Sequence, residues 1–354
     1  MSTIGDLVKR PCAWLESPGA HGGIVVSSRI RLARNLAQYP FQRKLSRPRQ
    51  QDLVEHLFSS VSSATGWTDA VRLRMSDLSE VERQALTERQ MVSRDLASGK
   101  RPAGVYASRD ERVALMLNEE DHLRLQVIDA GFTIRDNLDR AVALDRELEK
   151  LLDWATHPRY GYLTACPTNA GTGMRASVML HLSALAETQE LRQVLRGLGK
   201  LHMTVRGLHG EGSEASGHYY QVSNQRCLGL TEPDTVDQLA ETVEKIVAYE
   251  QIARQALIEH SRWKLEDRVF RAWGILTYAR SIANDELVDQ LSWARLGVAM
   301  GLLDARHWRT LDRIFLQCQP AHLQLQHAEA STPEVRDRLR ATLVREWLTT
   351  PDPG

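Results

Sequence analysis

Four stretches of this chain repeat one arrangement, in which polar or charged side chains alternate with apolar ones at period two and the polar set is rich in arginine. In SSRIRLARNL, Arg29 and Arg31 point one way, Ile30 and Leu32 the other. In NEEDHLRLQVI, Glu120, His122, Arg124 and Gln126 oppose Asp121, Leu123, Leu125 and Val127. In GMRASVMLHL, Arg175, Ser177, Met179 and His181 oppose Ala176, Val178, Leu180 and Leu182; in KLHMTVRG, His202, Thr204 and Arg206 oppose Leu201, Met203 and Val205. The same parity groups Tyr162, Thr164 and Cys166 in RYGYLTAC. Period two is the pattern of half-buried strands in an antiparallel sheet. If these strands share a sheet, one face packs on helices and the other carries arginines and a carboxylate. A single strand of this kind reads more simply as a solvated outer face with ordinary surface arginines. Repetition over four strands points to a binding site.

Helical stretches intervene. Segments 47–60, 79–96, 138–155 and 182–198 carry apolar residues near i, i+3, i+4 and i+7 and are expected to cover the buried face. Thr231 and Asp234 form a candidate capping box, followed by an apolar stripe of Val236, Leu239, Val243, Ile246 and Val247. Beyond it the chain reads as helices over 255–280, 285–303, 307–317 and 333–348. The expected fold class is therefore α+β: an N-terminal segment (1–22), an antiparallel sheet flanked by helices (23–255) and an all-helical C-terminal domain (256–354).

Composition narrows the function. Lys+Arg equals Asp+Glu at 45 each, so no bulk charge marks a nucleic-acid or membrane partner, and any polyanion site must be local. Cys12, Cys166, Cys227 and Cys318 form no CxxC pair, which argues against a zinc knuckle or disulfide framework and for a reducing compartment. No stretch approaches the roughly 18 apolar residues of a membrane span, and the expected location is the cytoplasm. Seven lysines stand against 38 arginines, a bias that a GC-rich genome explains more simply than a special use of arginine.

Transfer of a γ-phosphoryl group asks a protein mainly for positioning and for positive charge around phosphate oxygens. Arginine forks supply both, because their planar donors match phosphate and stay charged. The chain lacks GxxxxGK[ST], a kinase-type glycine loop, HRD and DFG. An arginine-lined sheet remains as a way to hold ATP. A guanidinium acceptor would need carboxylates to orient it and take its proton. Glu120 is the candidate base, and Glu211 in RGLHGEGSEASG a candidate second grip; either alone reads more simply as a surface or structural salt-bridge residue.

SSRIRLARN, NEEDHLRLQ, GYLTACPTNAGTGMRASVMLHL and YQVSNQRCLG resemble, in order and over about residues 24–250, the catalytic domain of the ATP:guanido phosphotransferases, or phosphagen kinases. RGLHGEGSEASG resembles the bacterial protein-arginine kinase branch, the McsB type. The resemblance implies ATP with Mg2+ as cofactor, the metal held mainly by phosphates and water with no protein ligand set. It implies that Arg29, Arg31, Arg124, Arg175, Arg206 and Arg226 grip the phosphates. Ser27, Ser28, Ile30, Ala176, Ser177, Val178, Met179, Gly207, Leu208, His209 and Gly210 would line the nucleotide. Glu120 matches the catalytic glutamate, Glu211 the substrate-guanidinium glutamate and Cys166 the reactive cysteine, though a lone Cys also reads as a small buried hydrophobe. Where relatives carry a histidine near the adenine, ERQMVSRDL offers Gln90, which implies altered nucleotide affinity.

Small-molecule guanidino kinases place a helical domain before the catalytic one. Here some two dozen residues precede SSRIR, so the cleft is expected to admit a protein-borne arginine. In the C-terminal domain, RDRLRA matches the phosphoarginine-binding RDxxRA element of the protein-arginine kinases. This implies an allosteric site at Arg336, Asp337, Arg340 and Ala341, where a solvated charged helix face is the plainer reading. The leading expectation is a protein-arginine kinase linked to Clp-type proteolysis or the stress response. Alternatives are a kinase for a free guanidino compound, or a non-catalytic phosphoarginine-binding adaptor. By the same resemblance, partners would be proteins with accessible arginines, a zinc-containing activator, a Clp unfoldase and a second copy of the chain.

Overall fold

The computed structural model describes residues 4–15, 21, 23–64, 67, 70–207 and 216–349. Its strands are β1 (Val25–Arg34), β2 (Val71–Arg74), β3 (Gly104–Ala107), β4 (Val113–Leu117), β5 (Leu123–Ala130), β6 (Thr156–His157), β7 (Gly161–Tyr162), β8 (Met174–His181), β9 (Met203–Gly207) and β10 (Tyr219–Asn224). The helices are α1 (Ile4–Leu7), α2 (Arg47–Ser62), α3 (Glu80–Glu88), α4 (Arg94–Ser98), α5 (Ile134–Glu149) and α6 (Ser183–Glu187). They continue with α7 (Leu191–Lys200), α8 (Glu232–Tyr278), α9 (Asn284–Ala299), α10 (His307–Gln317), α11 (Pro320–Gln326) and α12 (Pro333–Thr349).

Eight strands form one sheet in the order β2-β3-β4-β5-β1-β8-β10-β9, every pair antiparallel, while β6 and β7 make a small hairpin. The alternation decides what each face does. Ile30, Leu32, Leu125, Val127, Ala176, Val178 and Leu180 turn to one side. There they join Leu53, Leu57 and Phe58 of α2, Leu138 and Leu148 of α5, and Leu239, Val243 and Ile246 of α8 in the principal core. Arg34 shares that side. It is 1% exposed, pairs with Asp145 of α5 at 2.6 Å and donates to the Thr172 carbonyl at 3.0 Å. Its guanidinium also lies 3.5 Å from the Tyr162 ring centroid. Gly173 passes so close to this group that a Cβ would sit 2.6 Å from the Ala33 carbonyl oxygen, and its φ of +63° excludes most other residues as well.

Among the described residues, the opposite face is covered at its ends. At the β3–β4 end, Val105 and Met116 pack under α3, α4 and α11. At the other end, Val26, Ile128 and Tyr219 pack under Trp14 and Leu316. The arginines stand between.

Helix boundaries differ from expectation where the backbone turns left-handed. The stretch 79–96 is two helices, because Gln90 takes φ +60° and Ser93 then caps α4 through the Leu96 N–H at 3.1 Å. The stretch 182–198 breaks likewise at Gln189, φ +64°. The Thr231–Asp234 capping box is present. The helix it starts runs through residue 255 and loses helical geometry at Ser261 (φ −145°, ψ 30°). Helix α11 and strands β2, β3, β4 and β10 were not anticipated from periodicity. Strands β3 and β4 are buried along their whole length, so they carry no polar–apolar alternation to read.

Candidate functional site

The register assembles the arginine face. Arg31 on β1 lies directly across from Arg175 on β8 and from Gln126 on β5, and Arg29 lies across from Ser177 and Ile128. Arg124 is opposite Ala33, and Arg206 on β9 is opposite Gln221 on β10, which in turn faces Met179. Arginines from four strands thus converge on one patch, and like charges set directly across a sheet repel. Burial, then the charges of Arg175 and Arg124, pull the Arg29 guanidinium down to about 10. Burial first, then Arg29, Arg124 and Arg175, depress Arg31 well below its usual value, with Glu119 offsetting in part. The Arg31 Nε–H is buried without a hydrogen-bond partner among the described residues. A surface that concentrates so much positive charge suits a polyanion. Arg226, in the loop after β10, is exposed, and its carbonyl accepts from Asn224 Nδ2 at 2.9 Å.

Carboxylates border this patch in the tight turn before β5. Glu120 precedes the strand and does not share its alternation; it reaches Arg124 at 3.3 Å and is one-third exposed. Glu119, which sequence reasoning passed over, is 3% exposed and bridges three donors: Ser93 Oγ at 2.6 Å, the Glu120 N–H at 2.8 Å and Arg124 at 2.8 Å. Asp121 accepts from Asn35 Nδ2 and from the Ala165 N–H, both at 2.7 Å, which ties the turn to the loop carrying Cys166. The run of three acids in NEED, Glu119, Glu120 and Asp121, was the signal available for Glu119. Cys166 is partly exposed, its Sγ 3.0 Å from Thr168 Oγ1. His122 does not line the cleft: its ring accepts the Leu36 N–H at 3.0 Å and lies 3.1 Å from the Pro40 carbonyl.

The side chains of the expected nucleotide-lining residues divide between the two faces of the sheet. The side chains of Ser28, Ile30, Ala176 and Val178 are fully buried on the opposite face, because each is one residue out of phase with the arginines; only their backbone can meet a ligand. Ser28 donates instead to the Gly131 carbonyl at 2.8 Å. Ser27, Ser177 and Met179 do share the arginine side, and Gly207 ends β9. Gln90 faces the cleft, its side-chain oxygen accepting from Arg29 Nη1 at 3.2 Å. Leu208, His209, Gly210 and Glu211 lie outside the described residues.

In α12, Arg336 and Arg340 do not form an open fork. Arg340 is 1% exposed and donates to the carbonyls of Cys318 (3.0 Å) and Ile282 (2.8 Å) and to Asp337 (2.5 Å). Arg336 donates to the Ser331 carbonyl at 3.0 Å, and Ala341 is fully buried. Among the described residues no group of His, Cys, Asp and Glu converges as a metal site, and no helix is long and apolar enough to cross a membrane.

A sequence profile of the ATP:guanido phosphotransferase C-terminal catalytic domain matches residues 52–253, and one of the protein-arginine kinase McsB C-terminal domain matches residues 262–353. The chain belongs to the ATP:guanido phosphotransferase family. Within that family it is 41% identical over 337 residues to a protein-arginine kinase of Shouchella clausii, covering 95% of this chain and 94% of the relative. It is 42% identical over 344 residues to one from Moorella thermoacetica, covering 96% and 98%. The duplicated taurocyamine kinase of Schistosoma mansoni, solved with transition-state-analogue components, superposes with a TM-score of 0.59 at 27% identity. That match spans 71% of this chain and 36% of the duplicated one. As a phosphagen kinase the chain is an ATP-dependent phosphotransferase acting on a guanidino nitrogen.

Proposed function

We propose that the protein phosphorylates arginine side chains of other proteins, drawing the phosphoryl group from ATP on the arginine face of its sheet. One observation carries this reading: Arg29, Arg31, Arg124 and Arg175 converge from three neighbouring strands beside a partly exposed carboxylate, Glu120. Full-length similarity to protein-arginine kinases supports a protein-borne acceptor.

In this reading the arginines hold the phosphate oxygens and spread their charge as the transferring group loosens. Mg2+, when bound with the nucleotide, would supply further charge neutralisation. Glu120 orients the acceptor guanidinium and takes its proton as the N–P bond forms, while the bond from the γ-phosphorus to the bridging oxygen breaks and leaves ADP. Glu119 keeps Arg124 in place and stays buried. Glu211, Cys166, Arg206 and Arg226 complete the acceptor and phosphate contacts, and Arg336, Asp337, Arg340 and Ala341 form a phosphoarginine-responsive element. The substrates are proteins with accessible arginines in the cytoplasm, and the activator, Clp unfoldase and second copy implied by resemblance are partners to test.

Turnover on denatured casein compared with free arginine, both with Mg–ATP, tests the acceptor. The reading predicts phosphoarginine in casein and little free phosphoarginine; the opposite preference would reassign the enzyme to small guanidino compounds.

A further inference from the structure

At the end of β5 remote from Glu120, the arginine face runs into an apolar corner built from three parts of the chain. Ile128, Val26 and Tyr219 come from the sheet, Trp14 from the N-terminal segment, and Leu316 and the adjoining Phe315 from α10 in the C-terminal domain. Phe315 packs on Tyr219 with ring centroids 5.3 Å apart. A narrow cavity lies here, where Trp14, Phe315, Ile128 and Met179 meet Arg29 and Gln90.

The residues leading to Gln90 are fastened to the C-terminal domain. Arg89, fully buried, pairs with Glu111 through two contacts of 2.6 Å and lies 3.3 Å from His322 Nε2 on α11. Glu88 accepts the Ala321 N–H at 3.0 Å and lies 2.8 Å from His322 Nδ1. The Trp14 indole N–H donates to the Arg89 carbonyl at 3.2 Å, and Gln126 Nε2 donates to the Gln90 carbonyl at 2.5 Å.

Polarity fixes which way a nucleotide lies. The γ-phosphate must sit near the carboxylate that receives the acceptor, so the base must extend toward the opposite end. That end offers aromatic and thioether surface beside a side-chain amide, which suits a heteroaromatic ring with apolar faces and polar edges. We propose that the wall contributed by the C-terminal helices, Phe315 above all, selects the base of the phosphoryl donor, so that the C-terminal domain is part of the nucleotide site. This rests on the arginine face being the ATP cradle.

Calorimetry on the full chain with Mg–ATP, Mg–CTP and Mg–tripolyphosphate separates base from phosphate. Wild type should prefer ATP to CTP. Phe315→Ala should weaken ATP about tenfold, bring the ATP:CTP ratio toward one and leave tripolyphosphate within about twofold. Phe315→Leu should fall between, and serves if the alanine variant does not fold. Unchanged ATP binding in these variants, or equal losses for ATP and tripolyphosphate, would overturn the proposal. Arg31→Ala should weaken all three ligands; if tripolyphosphate binds it as it binds wild type, the cradle reading itself fails and takes this inference with it.

Discussion

Arg31 and its neighbours illustrate a site kept at a cost to the free protein. Burial and three nearby guanidinium groups hold Arg31 in a state that folding alone would not favour. Replacing it with methionine should raise the melting temperature of the ligand-free protein by roughly 2–4 °C while sharply weakening ATP binding. A lower melting temperature would make Arg31 a structural residue. Glu120→Gln should lower kcat about 10²–10⁴-fold without moving the thermal transition, since among the described residues the Glu120 side chain makes one long contact, with Arg124. Glu119→Gln should lose both activity and stability, because three donors close on that buried carboxylate. Parity was enough to read which arginines share a face. What it could not tell is that Arg34, in phase with Ile30 and Leu32, is a buried strut, because its partner Asp145 lies 111 positions away. At Ser28, Ile30, Ala176 and Val178 the pleat turns the side chains away from the arginine face, which leaves their backbone as the part that can meet a nucleotide.

Among the elements, long strands and amphipathic helices were legible, and the interruptions were not. Gln90 and Gln189 adopt left-handed backbone without being glycine, so neither break carries the usual sequence mark. Helix α11 has only seven residues, yet it closes the joint at Arg89. Removing one partner there, as in Glu111→Ala, leaves a buried cation uncompensated and should cost about 3–5 kcal/mol in urea unfolding; a loss below about 1 kcal/mol would show that His322 and the carbonyls of Arg10 and Pro11 suffice to hold Arg89. Truncating Arg340 would free two carbonyls and Asp337 and so loosen α12 itself. Arg336→Ala, which loses only carbonyl contacts near the helix start, is therefore the cleaner variant for measuring phosphoarginine binding by calorimetry.

For the molecule as a whole, α8 packs on the apolar side of the sheet, and α9 and α10 after it return to the sheet on its arginine side. His181 at the end of β8 is 2.7 Å from Ser292 of α9, and Gly217 donates its N–H to Asp289 at 2.8 Å. The two family matches, 52–253 and 262–353, thus describe parts that share one buried seam. That sharing was not legible in the chain, because it rests on residues far apart in sequence, 111 positions in the case of His181 and Ser292. The assembly as a whole is expected to transfer phosphate to protein arginine through Glu120, and phosphorus NMR of a denatured acceptor protein after incubation with Mg–ATP is the decisive measurement. The wild-type enzyme should produce an acid-labile N–P signal that Glu120→Gln does not; no such signal from wild type, or an equal one from the variant, would contradict it.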